Sequence, residues 1–120
     1  MKGSEALHQA SLWRWFYTEY EEYRIGVGKC LLFHNYNNPS NRVEGARLKS
    51  MGLCAGIPDM FLAVPRPGFG GLYLELKKEG EKPKKHQLEV MEGLRKAGYA
   101  VEWSDNLEES KKIILSYLFG

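Results

Sequence analysis

Apolar residues return at three- and four-residue steps through Leu7, Ala10, Trp13, Phe16 or Tyr17, and Tyr20. That period predicts an amphipathic helix, which Ser4 can cap. Glu5, Gln9, Leu12 and Phe16 also share one stripe, so Glu5 and Gln9 lie together at the edge of the buried face. Cys30-Leu31-Leu32-Phe33-His34 reads as a short buried strand, and Asn35-Tyr36-Asn37-Asn38-Pro39 as a turn that ends it. A second helix runs from Asn41 or Arg42 to Met51 and stops at Gly52. Strands are predicted from Asp59 to Val64 and from Leu72 to Lys77, joined as a hairpin by Pro65-Arg66-Pro67-Gly68-Phe69-Gly70-Gly71. Lys84 to Ala97 is helical, with Leu88, Met91 and Leu94 inward and Gly98 as the stop. Tyr99, Val101 and Trp103 alternate with Ala100 and Glu102 as a fourth strand. Ser104 or Asp105 then caps a last helix carrying Leu107, Ile114, Tyr117 and Leu118. The order α-β-α-β-β-α-β-α predicts an α/β domain with a central mixed sheet of about four strands flanked by helices.

Composition narrows the class without naming a function. The chain has 120 residues, 43% apolar and 27% charged, which suits one globular domain over 1–120 with its own core. Cys30 and Cys54 make no disulfide framework and have no metal-ligand spacing. The start has no apolar signal segment, and no apolar run approaches the roughly 18 residues of a membrane span. The expectation is a soluble, intracellular (cytoplasmic) protein that makes no membrane contact. A net charge of +2 neither demands nor excludes nucleic acid, so local charge must decide.

The third strand carries the candidate chemistry. Alternation sends Leu72, Leu74 and Leu76 to one face and Tyr73, Glu75 and Lys77 to the other. Asp59 and Glu75 are equidistant in sequence from Pro67, so a turn centred there places them opposite each other, with Cβ atoms about 5 Å apart, while a shift of the pairing by two sets Asp59 opposite Lys77 and diagonal to Glu75, still on one face. Two carboxylates so close repel, which raises one pKa or calls for a cation between them. Mg²⁺ takes carboxylate oxygens and keeps places for water and phosphate. Lys77 adds positive charge on the same face, a combination suited to metal-assisted phosphodiester hydrolysis. Taken alone, the motif also fits an ordinary solvated strand face.

The surrounding residues are more specific. Gly56-Ile57-Pro58-Asp59 opens an apolar strand, Gly71-Leu72-Tyr73-Leu74-Glu75-Leu76-Lys77-Lys78 follows, and Lys84-Lys85-His86-Gln87 begins the next helix. With Glu5 and Gln9, Arg47-Leu48-Lys49 before Gly52, and Gly98-Tyr99-Ala100-Val101, this ordered set resembles the VRR-NUC (virus-type replication-repair nuclease) family of the PD-(D/E)xK superfamily, from about Ser4 to Leu118. The resemblance implies a restriction-endonuclease-like core. It implies Asp59, Glu75 and the backbone carbonyl of Leu76 as metal contacts, with Glu5 as a second-metal or water ligand. Lys77 becomes the catalytic lysine, and Gln87 holds the site or the scissile phosphate. The implied cofactor is Mg²⁺, with Mn²⁺ as substitute. Stand-alone members of this size, of bacterial or phage type, resemble Holliday-junction resolvases and act as homodimers on branched or duplex DNA.

Basic groups beside this site fit phosphate contacts: Lys78, Lys84 and Lys85 near the third strand, and Arg42, Arg47 and Lys49 on the second helix. Each also suits a salt-bridged helix surface. The expected function is therefore a structure-selective, junction-resolving DNA endonuclease. A nicking, flap or duplex nuclease, a catalytically silent DNA-binding module, and a protein-interaction domain stand as alternatives. Gly68-Phe69-Gly70-Gly71 leads into a strand, so it reads as a hairpin loop and not a phosphate cradle. His8, His34 and His86 share no ligand spacing and read as packed or exposed. Trp13, Trp15 and Phe16 read as core or, in part, as a dimer patch.

Overall fold

A computed structural model describes residues 3–36 and 41–120, with side chains from Glu5 onward. Ser4 falls inside the first helix and not at its cap, and the Asn37-Asn38-Pro39 part of the predicted turn lies outside the described residues. The elements are α1 (Gly3–Glu19), a single 3-10 turn (Glu21–Tyr23), β1 (Arg24–Gly26), β2 (Lys29–Cys30), β3 (Leu32–His34), α2 (Arg42–Ser50), β4 (Met60–Leu62), β5 (Leu72–Leu76), α3 (Lys85–Lys96), β6 (Ala100–Ser104) and α4 (Leu107–Phe119). The fold is mixed α/β with a four-stranded sheet in the order β3-β4-β5-β6. The first two pairings are antiparallel, and β5 runs parallel to β6 because α3 supplies the crossover.

The β4–β5 hairpin has the register that its symmetry about Pro67 predicts. Met60 faces Leu74, Phe61 faces Tyr73, and Leu62 faces Leu72. Arg66 and Phe69 exchange both backbone hydrogen bonds across the turn, at 3.0 and 2.8 Å, and Gly68 supplies the positive φ of 87° there. Gly71 is needed for another reason, because a Cβ there would lie 2.5 Å from the Phe61 ring.

The leucine face of the sheet is the core. Leu72, Leu74, Leu76, Met60, Leu62 and Leu32 pack against Leu12 and Phe16 of α1 and Ile114 and Leu118 of α4. The opposite face carries Phe61 and Tyr73, 4.4 Å apart at their ring centroids, with Tyr99 against Tyr73. Helix α3 packs beside β6 and begins next to Glu75.

Several local expectations need correction. Cys30 to His34 is not one strand: Cys30 pairs with Arg24 in a separate β1–β2 hairpin, and β3 starts at Leu32. Strands of three and two residues, Arg24-Ile25-Gly26 and Lys29-Cys30, each with a charged residue, have too little pattern to be read as strands. The buried stripe of α1 is His8, Leu12 and Phe16, while Leu7 and Ala10 face outward. Leu88 is exposed in α3, and Gln87 takes the inward position one turn before buried Met91. The cap of α4 is Asn106, whose side chain accepts from the Glu109 amide at 2.8 Å. Among the described residues, no helix is long and apolar enough to cross a membrane.

Candidate active site

Asp59 and Glu75 stand one step beyond the last paired residues of β4 and β5, on the face shared with Phe61 and Tyr73. Strand pairing therefore delivers both carboxyls to one place. They are nearly enclosed, with exposures of 8% for Asp59, 3% for Glu75 and 7% for Lys77. Charged side chains are seldom buried so far without partners.

The partners are specific. The Leu76 amide donates to Asp59 Oδ2 at 2.8 Å, so the strand backbone holds the first carboxyl. Lys77 Nζ lies 3.3 Å from Glu75 Oε2, and Gln87 Nε2 donates to the same oxygen at 3.0 Å. The other oxygen, Glu75 Oε1, is buried and has no donor. Burial raises the Glu75 pKa to about 8, and the neighbouring Asp59 charge adds to the rise against the pull of Lys77. Burial likewise raises Asp59, opposed by the Leu76 amide and by Lys77. Two carboxyls that ionise reluctantly, one with a bare buried oxygen, make a site short of positive charge.

The supporting contacts explain why these groups hold still. The Lys77 amide donates to the Ser104 carbonyl at 2.8 Å, which extends the β5–β6 pairing by one residue. His8 lies with Nδ1 3.3 Å from the Lys77 carbonyl and Nε2 2.9 Å from Ser110 Oγ, tying α1 and α4 to the same segment. Burial lowers the His8 pKa. Asn35 donates twice to the strand entering β4, from its amide to the Asp59 carbonyl at 2.7 Å and from Nδ2 to the Pro58 carbonyl at 2.9 Å.

The structure thus brings Asp59, Glu75, Lys77 and Gln87 together. Glu5 is near enough for its charge to help raise the Asp59 pKa, yet among the described residues no three His, Cys, Asp or Glu side chains gather at metal-holding distance. Arg47 is paired with Glu44 at 2.9 Å and Lys78 with Glu81 at 3.2 Å. Among the described residues Arg42, Lys49, Lys84 and Lys85 make no ion pair, and all four are exposed. Sequence reasoning passed over His8 and Asn35 as site supports. For His8 a signal existed, since positions 8, 12 and 16 form a helical stripe; for Asn35 there was none.

No family model and no curated protein matches the chain. A solved structure does: a VRR_NUC domain protein superposes with a TM-score of 0.75 and 27% identity, over 98% of this chain and 91% of that one. Over nearly its whole length the chain is similar to a VRR-NUC domain. The buried acidic pair, its lysine and the glutamine of α3 are the residues to which the sequence resemblance gives the nuclease motif. The domain is accordingly a nuclease-family domain.

Proposed function

We propose that the domain is a divalent-metal-dependent DNA endonuclease that hydrolyses phosphodiesters. The observation that carries this reading is the juxtaposition of Asp59 and Glu75 with Glu75 Oε1 buried and undonated beside the Lys77 ammonium. The donor set fits a hard cation: carboxylate oxygens from Asp59 and Glu75, with the Leu76 carbonyl and Glu5 as further contacts. When bound, Mg²⁺ or Mn²⁺ supplies Lewis-acid polarisation of a phosphoryl oxygen and activation of water.

The chain's own groups do the rest. Lys77 sets a positive charge beside the attacked phosphate, where it orients the water and stabilises charge developing on the phosphoryl oxygens. Gln87 holds Glu75 in place. Water adds to phosphorus, the bond to the 3′ oxygen breaks, and that oxygen takes a proton, leaving a 5′-phosphate and a 3′-hydroxyl. The substrate we favour is branched DNA cut by a homodimer, since two identical sites about a two-fold axis match the symmetry of a four-way junction.

Labelled four-way junctions, flaps and linear duplex incubated at equal salt with Mg²⁺ or Mn²⁺ test this reading. The expected result is metal-dependent cutting with the junction fastest, and loss of about a hundredfold or more in Glu75→Ala and Lys77→Ala. Flap or duplex cut faster than the junction would keep the nuclease and discard the resolvase. DNA binding with no cutting under either metal would leave a silent binding module, and equal rates in Glu75→Ala would remove that residue from the chemistry.

A further inference from the structure

A cleft of about 610 Å³ runs between α1 and the edge strand β3, and Asp59 lines one end of it. Its walls include Gln9, Trp13, Arg14, Phe33, His34 and Tyr36. Two of these aromatics are open to solvent, Phe33 at 44% and Tyr36 at 51% exposure, although large apolar rings ordinarily find cover. The wall is also prebuilt. Trp13 donates to the Leu32 carbonyl at 3.0 Å and stacks on Tyr17 at 4.9 Å. Tyr17 in turn carries the Arg24 guanidinium on its ring and accepts from the Gly28 amide at 2.8 Å. These contacts fasten the β1–β2 hairpin beside the cleft with Val27 at its tip, 98% exposed.

We propose that this cleft receives a nucleotide freed from the DNA stack next to the scissile phosphate, its base against Phe33 and Tyr36. The inference rests on the nuclease reading of the Asp59–Glu75 site and names how that site selects its substrate. Continuity decides the occupant: a strand whose phosphate lies at Asp59 must pass its neighbouring nucleotide along the surface that leaves Asp59, and that surface is aromatic. Aromatic faces stack bases of any sequence, and Arg14 supplies charge for the adjoining phosphate. An apolar side chain at a hairpin tip is suited to lie against an opened base step. Paired, stacked bases have no ring face to offer the cleft, so the arrangement selects branched or opened DNA over linear duplex.

The test uses the full chain with Ca²⁺ in place of Mg²⁺, and branched DNA carrying 2-aminopurine at the unpaired position beside the cut site. The expected result is a change in 2-aminopurine fluorescence on binding, lost in Tyr36→Ala and retained in Tyr36→Phe. Binding of the branched DNA weakens about tenfold in Tyr36→Ala while circular dichroism stays that of the parent. Cutting by the parent under Mg²⁺ with unchanged fluorescence and unchanged affinity in Tyr36→Ala and Phe33→Ala would overturn the cleft but leave the nuclease standing. Absence of metal-dependent cutting by the parent would remove the nuclease reading itself. If Phe33→Ala instead turns a dimer into a monomer in sedimentation without altering the preference for branched DNA, the cleft is an interface between two copies and the proposal fails.

Discussion

Glu75 presents two oxygens in opposite circumstances, one accepting from Lys77 and Gln87 and the other buried without a donor. Its pKa near 8 makes the metal-free protein pH-sensitive. A carboxyl whose folded pKa lies above its unfolded value binds more proton in the native state, so stability is lost as pH rises through the folded pKa. Asp59 acts in the same direction. His8, with its pKa lowered by burial, acts in the opposite one: it favours the native state above its ordinary value of 6.5, and its contribution is lost as pH falls below that. The two slopes separate between pH 6.5 and about 8, where Glu75 still holds its proton in the folded state and His8 no longer contributes to the slope. In EDTA the melting temperature should fall across that window, and Mn²⁺ should restore it by neutralising the pair. Thermal melts at several pH values decide this; a flat profile in EDTA, or no recovery with Mn²⁺, would contradict the charge-poor site. Much of this was readable beforehand, because Asp59 and Glu75 flank Pro67 symmetrically and the antiparallel register follows from that symmetry. The depth of burial was not, since it depends on α3 covering a face that looks polar in the sequence.

Helix α3 links local helix chemistry to the site through Gln87. Its Oε1 accepts from the Lys84 amide at 2.8 Å, which satisfies one of the free donors at the helix start, while its Nε2 holds Glu75. One side chain therefore serves the cap and the carboxylate together. Gln87→Ala should lose about 1 kcal/mol of stability from the cap, a fall of about 4 °C in melting temperature. Separately, cleavage measured well below the melting range should drop about 10- to 100-fold, with more metal needed for half-maximal rate. A loss of activity no larger than the unfolded fraction would reduce Gln87 to a cap. At this scale the sequence was partly misleading: period alone put Leu88 inward, and the site demanded that Gln87 take that place. Helix α1 shows the same limit, because aromatic rings on several of its faces conceal that His8, Leu12 and Phe16 form the buried one. The β1–β2 hairpin, with strands of three and two residues, is set by its docking on Tyr17 and has almost no pattern of its own.

For the whole molecule, the mixed sheet was legible because β3 and β4 lie in short apolar runs, β5 and β6 alternate, and a helix between β5 and β6 marks the crossover. Which basic groups meet DNA was not, because ion pairing is decided by neighbours in space. Lys84 and Lys85 stand at the start of α3, within one turn of the glutamine that holds Glu75, and neither is paired among the described residues. Arg47 is engaged twice by Glu44, through Nε at 3.2 Å and an outer nitrogen at 2.9 Å. A lysine that neutralises a phosphate releases a counterion, so each contact adds roughly one unit to the slope of log affinity against log salt. An arginine already neutralised by its own helix has less to release. Replacing both Lys84 and Lys85 by Ala should therefore lower duplex affinity in Ca²⁺ and flatten the salt slope by roughly two units, whereas Arg47→Ala should change the slope by well under one. Fluorescence anisotropy between about 50 and 200 mM salt reads both quantities. Equal slopes for the lysine variant and the parent would place the DNA on another face of the sheet, away from the start of α3.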